Sequence, residues 1–178
     1  MIFRGTATAL ITPFTEDDKV DVQAIRNIVD MQIANGINAL VALGTTGEPA
    51  TLSEEEKEQI VRVCVEQTSG KIPLIVGAGS NSTRQAVETC RMAQKLGADA
   101  LLVVTPYYNK CTQEGLVEHY GAVAKATSLP IICYNVASRT GVNILPETFA
   151  RIATEHKNVV AIKEASGNME QIEQCLRL

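Results

Sequence analysis

The chain has 178 residues, 46% of them hydrophobic and 20% charged, with a formal net charge of −4. That is enough apolar material for one globular core, and acids and bases are mixed along the chain, so no basic cluster points to nucleic acid or an anionic membrane surface. The opening MIFRGTATALITPF is too short and polar for a signal peptide, and no apolar run reaches membrane length; with five scattered cysteines and no CxxC pair, reduced thiols and a cytoplasmic location are expected.

The first apolar run, 6–12, precedes a helical pattern with Ile25, Ile28, Val29 and Ile33 on one face, which Gly36 can end. A second run, 38–44, leads to Ser53-x-x-Glu56, a capping box opening the second helix. The run 72–79 is followed by Ser82-x-x-Gln85, a similar start. After 98–106 come Leu116, Tyr120, Val123 and Ala124 at helical spacing, and after 129–135 a helix opens on Pro146, a favoured first helical residue. The last run, 158–165, leads to a helix beginning near Asn168.

These runs recur roughly every 30 residues, about one βα unit each. They are apolar nearly throughout rather than alternating, as in parallel strands buried on both faces. No dinucleotide fingerprint accompanies them, which favours a (β/α)8 (TIM) barrel over a doubly wound sheet. Residues 1–178 form one catalytic domain in this reading, incomplete at about six of the eight βα units. The first and sixth strands would each present an unpaired edge, so a longer native chain or a complementary C-terminal chain is expected to complete the fold.

In such barrels the chemistry sits at the C-terminal strand ends. There the sequence places Gly44-Thr45-Thr46-Gly47-Glu48, Thr105-Pro106-Tyr107-Tyr108-Asn109, Tyr134-Asn135 with Ser138-Arg139-Thr140-Gly141, and Lys163-Glu164. Lys163 follows Val159, Val160, Ala161 and Ile162, so its amine is expected to emerge inside the barrel mouth. Desolvation favours a neutral amine, and a neutral amine attacks carbonyls to form Schiff bases; the plainer reading is a lysine snorkelling to solvent. Three of the four tyrosines, Tyr107, Tyr108 and Tyr134, lie at strand ends, where a phenol either relays protons or simply packs. Thr45 and Thr46 offer hydroxyls and backbone N–H groups to a carboxylate, or make a plain tight turn. Arg139, in a polar loop, pairs with a carboxylate or is a solvated surface arginine. Gly77-Ala-Gly79-Ser-Asn81 lacks the rest of a phosphate loop. His119 and His156 have no ligand-spaced partners, so no metal is expected.

The strings ATALITPF near the start, GTTGE (44–48), TPYYNK (105–110), YNVASRTG (134–141) and IKEASG (162–167) resemble the dihydrodipicolinate synthase family, within the pyruvate-dependent aldolases. The resemblance implies that Lys163 is the Schiff-base lysine and Tyr134 the proton-shuttling tyrosine. It implies relay roles for Thr45 and for Tyr108, the latter reaching across from a neighbouring subunit. Thr46 would hold the pyruvate carboxylate, and Arg139 the carboxylate of the second substrate. The implied reaction condenses pyruvate with L-aspartate 4-semialdehyde to 4-hydroxy-tetrahydrodipicolinate, toward diaminopimelate and lysine, without cofactor or metal, in a homo-oligomer (a dimer of dimers). GTTGE and the SRTG arginine favour the synthase over sugar-acid lyases of the superfamily; another pyruvate aldolase, or a non-catalytic barrel fragment, are the alternatives. Ala137 and Cys111 stand where prolines are usual, which is expected to loosen a loop. Glu54 and Lys57 occupy positions where lysine-inhibited members carry histidines, beside the matching Asn81 and Tyr107, so weak or absent lysine feedback is expected.

Overall fold

The computed structural model describes residues 2–178. In chain order it contains β1 (Ala7–Ala9), α1 (Val22–Ala34), β2 (Ala39–Ala42), two 3-10 turns (Thr45–Gly47 and Pro49–Thr51), α2 (Glu54–Thr68), β3 (Leu74–Gly77), α3 (Thr83–Leu96), β4 (Ala100–Val104), α4 (Gln113–Ala126), β5 (Ile131–Asn135), a one-turn α5 (Ala137–Thr140), α6 (Pro146–Glu155), β6 (Val159–Glu164) and α7 (Met169–Arg177). The strands hydrogen-bond in the order β1-β2-β3-β4-β5-β6, the arrangement expected of consecutive units of an α/β barrel. Each strand is shorter than its apolar run. The chain leaves β1 before Thr12, for example, and Phe14 instead makes an isolated antiparallel bridge to Val20.

Two compact units make up the chain. The first runs to Gly77 and includes Met92–Leu101. Its β1 pairs with β2 in parallel, and β2 with β3. Helix α1 starts where Asp21 accepts a hydrogen bond from the Ala24 amide at 2.9 Å, and the chain turns at Gly36, whose φ of +77° lies in the left-handed region. The predicted capping box of α2 is present: the Glu56 amide donates to Ser53 Oγ at 3.2 Å, and the Ser53 amide donates to Glu56 Oε2 at 2.8 Å. Val29, Leu40, Val61 and Leu74 are buried together as this unit's apolar interior. The start of β4 is tied to β3 by Asp99, which accepts from the Leu74 amide through its carboxylate at 2.8 Å and donates its own amide to Leu74 O at 2.9 Å.

The second unit comprises Ala78–Arg91 and Leu102–Leu178. Leu116, Tyr120 and Val123 of α4 are fully buried, as are Ile131 and Cys133 of β5 and Ile152 of α6. Tyr120 carries the largest of these side chains and satisfies its hydroxyl by donating to Val103 O at 2.9 Å. The Asn158 side chain donates from Nδ2 to Ala124 O and Thr127 O, both at 3.0 Å, closing the C-terminal end of α4. Pro146 opens α6 as expected, and Asn168 caps α7 by accepting from the Gln171 amide at 3.2 Å. The polar loop expected around Arg139 is instead the single turn α5, because Val136 O accepts both the Arg139 and Thr140 amides and Gly141, at φ +72°, ends it. Among the described residues no helix is long and apolar enough to cross a membrane.

Candidate active site

In the first unit, the chain leaves β2 through a left-handed Leu43 (φ +55°) into the turn Thr45–Gly47. A Cβ on Gly77 would lie 1.9 Å from Leu43 O, so only glycine lets β3 pass this turn. The turn is closed by the Gly47 amide donating to Gly44 O at 2.8 Å and the Glu48 amide to Thr45 O at 3.1 Å. Thr12 Oγ1 adds a bond to Gly47 O at 2.8 Å. These bonds fix the backbone without using the side chains of Thr45 and Thr46, which are both exposed. Gly79 of the 77–81 string, in the second unit, is also closely packed: a Cβ there would lie 2.4 Å from the Val104 amide nitrogen.

In the second unit, β4 ends at Val104, and the next residue, Thr105, is fully buried and donates its amide to Tyr134 O at 3.3 Å. Tyr108 follows in a left-handed conformation (φ +74°) with 86% of its surface exposed. A bulky residue in that region is strained. Its amide is held by Thr140 O at 3.3 Å, which ties the tyrosine turn to α5, where Arg139 is exposed. On the β5–β6 ladder Tyr134 lies opposite Lys163. Lys163 Nζ stands 4.3 Å from the centre of the Tyr134 ring. Tyr134 is buried, whereas Lys163 is exposed. The desolvated lysine expected from the sequence is thus replaced, within this unit, by an amine lying over an aromatic face. Of the predicted residues, Tyr134 and Lys163 are in direct contact, Tyr108 is bonded through its backbone next to Arg139, and Thr45 and Thr46 share one turn.

One group of polar side chains was given no role from sequence. Asn135 lies opposite Glu164 on the same ladder. Asn135 Nδ2 donates to Glu164 Oε2 at 2.8 Å, Gln171 Nε2 donates to the same oxygen at 2.7 Å, and the Ser166 amide donates to Oε1 at 2.7 Å. Asn143 joins by accepting from Asn135 Nδ2 at 2.8 Å and donating to Gln171 Oε1 at 2.7 Å. Burial works to raise the Glu164 carboxyl, but the bonds from Asn135, Ser166 and Gln171 outweigh it and hold it below the ordinary carboxylate range. The sequence signal is confined to Asn135 and Glu164, which directly follow the candidates Tyr134 and Lys163.

The histidines lie elsewhere. His119 is buried, shares a hydrogen between Nδ1 and Thr83 Oγ1 at 2.9 Å, leaves Nε2 without a partner, and is pushed down to about 4 by burial. His156 packs against Gly121, where an added Cβ would come within 2.9 Å of its Nε2. Among the described residues no group of three or more His, Cys, Asp or Glu side chains is placed to hold a metal ion.

A family model described as the dihydrodipicolinate synthetase family matches residues 2–178. The chain is 53% identical over 177 residues to a 4-hydroxy-tetrahydrodipicolinate synthase from Geotalea daltonii, covering 99% of this chain and 60% of that protein. It matches the crystal structure of a dihydrodipicolinate synthase from Thermotoga maritima with a TM-score of 0.96 and 51% identity, over 100% of this chain and 60% of that one. A chloride-inhibited dihydrodipicolinate synthase from Acinetobacter baumannii, complexed with pyruvate, matches with a TM-score of 0.96 and 45% identity, over 99% of this chain and 60% of that one. The chain therefore spans about 60% of the length of the curated relatives it matches. On the family match and on these identities, it belongs to the dihydrodipicolinate synthetase family.

Proposed function

We propose that this chain carries the pyruvate-binding chemistry of a 4-hydroxy-tetrahydrodipicolinate synthase, with Lys163 as its Schiff-base lysine. The observation that carries the reading is the Lys163–Tyr134 pair: an amine 4.3 Å from the ring of a buried tyrosine at adjacent strand ends. The names of the relatives and the pyruvate complex of the Acinetobacter enzyme support it.

In the proposed reaction the Lys163 amine adds to the ketone of pyruvate, and loss of water leaves a protonated imine. The imine draws electrons, so a methyl proton departs and an enamine remains. The enamine carbon bonds to the aldehyde carbon of L-aspartate 4-semialdehyde, whose oxygen takes a proton. The amine of that substrate then attacks the imine carbon, closing the ring and expelling Lys163. Tyr134 moves the protons. By the family resemblance Thr45 and Tyr108 relay them, Thr46 holds the pyruvate carboxylate, and Arg139 receives the second substrate's carboxylate. The outward-facing Tyr108 suits a role toward a neighbouring subunit of a homo-oligomer. The setting is a cytoplasmic pathway toward diaminopimelate and lysine.

A panel of aldehydes tests the substrate assignment. Pyruvate consumption is expected with L-aspartate 4-semialdehyde, at a kcat/KM at least about 100-fold above that for an amino-sugar aldehyde. The opposite preference would assign the chain to another pyruvate aldolase, and no turnover with any aldehyde would contradict the synthase reading.

A further inference from the structure

The ladder between β5 and β6 is irregular. Ile131 pairs with Val159, but Ile132 pairs with Ala161, so Val160 is an extra residue and β6 bulges there. Beyond the bulge the pairs are Cys133 with Ile162, Tyr134 with Lys163 and Asn135 with Glu164. Without it, Ile162 would lie opposite Tyr134 and Lys163 opposite Asn135. A one-residue shift moves every side chain of a strand to the other face, so the bulge decides whether Lys163 meets Tyr134 at all.

Apolar contacts do not choose between these registers, because Val160, Ala161 and Ile162 are interchangeable in kind. The polar residues do choose. Successive strand residues face opposite sides, so Asn135 and Glu164 form a second cross-strand pair behind Tyr134 and Lys163. Asn135 is completely buried and fully engaged: Nδ2 donates to Glu164 Oε2 and Asn143 Oδ1, both at 2.8 Å, while Oδ1 accepts from the Ile144 amide at 3.0 Å. Gln171, only 6% exposed, links α7 to Glu164 Oε2 at 2.7 Å and to Asn143 Oδ1 at 3.1 Å. A lysine in place of Glu164 opposite Asn135 would bring a donor to donors. A buried polar network with its members satisfied selects one geometry, and a mispaired one is costly.

We propose that Glu164, together with Asn135, is a positioning residue that holds β6 in its bulged register and so keeps Lys163 facing Tyr134. Glu164 acts through the strand and not on substrate, and the catalytic consequence rests on the Schiff-base reading of Lys163. Glu164→Gln keeps the shape of the side chain but puts an N–H₂ where only acceptors fit.

The test compares the full chain with its Glu164→Gln variant in two measurements. Timed borohydride trapping with pyruvate reads imine formation on Lys163. The maximal rate is expected to fall at least tenfold, with the half-saturating pyruvate concentration unchanged within twofold, because the network does not touch the substrate. Hydrogen exchange of the Ile162–Ala165 amides is expected to speed at least tenfold, while the α2 amides of the other unit keep wild-type protection. Equal trapping rates, or a loss confined to pyruvate affinity, would overturn the proposal. Absence of an adduct on the unaltered chain would sink the Schiff-base reading instead; the exchange measurement would then decide the register claim alone, with equal protection in both chains overturning it. Where Glu164→Gln loses its far-ultraviolet helical signal, Gln171→Met, which removes one donor to the same oxygen, is judged by the same two criteria.

Discussion

An ammonium over a phenol ring gains about 0.5–1 kcal/mol at an exposed site. The contact at 4.3 Å therefore holds Lys163 near Tyr134 without locking it, so the amine is free to turn toward a carbonyl. Arg139 is placed differently: it is exposed on a single helical turn whose last residues are fixed by Val136 O and Gly141. A planar guanidinium there can take a carboxylate in two parallel bonds. On the proposed reaction Arg139→Ala raises the KM for aspartate semialdehyde at least about tenfold, equivalent to roughly 1.4 kcal/mol, and leaves that for pyruvate within twofold. Steady-state kinetics with each substrate varied in turn checks this, and equal rises in both values would contradict it.

At the scale of elements, two features make predictions. Gly77 in β3 passes so close to the β2 turn that a methyl group would sit 1.9 Å from Leu43 O, a backbone atom that cannot rotate away. Gly77→Ala is expected to destabilise the chain by about 3 kcal/mol or more, read from denaturant midpoints; a change below about 1 kcal/mol would show that the turn yields. In α4, His119 is held neutral down to about 4, whereas its ordinary value is 6.5. Between those values the unfolded chain binds a proton that the folded chain does not, so acidification favours unfolding. The contribution of neutral His119 is complete above about pH 6.5 and is lost as the pH falls toward 4. His119→Gln should therefore flatten the pH dependence of unfolding free energy between these limits, by up to about 1.4 kcal/mol per pH unit. An unchanged slope would contradict the burial argument.

The elements that position these groups were legible where the signal was local. Ser53 with Glu56, Pro146 and Asn168 mark helix starts that the structure reproduces. The strand-end position of Lys163 and Tyr134 followed from apolar runs alone. The bulge at Val160 did not, since an apolar residue between apolar neighbours looks the same in either register. The Asn135–Asn143–Glu164–Gln171 network joins residues up to 36 positions apart through hydrogen bonds, and no spacing rule anticipates such a set. The exposure of Lys163 also departed from expectation, because a strand-end position fixes which face a side chain leaves from and not what covers it.

For the molecule as a whole, family membership rests on a match over residues 2–178, while activity is a proposal for a chain spanning about 60% of its relatives' length. The same resemblance bears on regulation. Lys57 is ion-paired to Glu54 at 2.8 Å and largely covered, with 14% of its side chain exposed; the resemblance implies that these two match positions where lysine-inhibited members carry histidines. A fixed cation there would repel the lysine side chain, so free lysine is expected to leave activity unchanged up to millimolar concentration; half-inhibition below that would contradict this. The central claim is that Lys163 is the nucleophile. Intact-mass spectrometry after incubation with pyruvate and borohydride tests it most directly. One reduced pyruvate per chain, mapped by peptide digestion to Lys163 and absent from Lys163→Ala, is the predicted result; no adduct, or an adduct on another lysine, would contradict it.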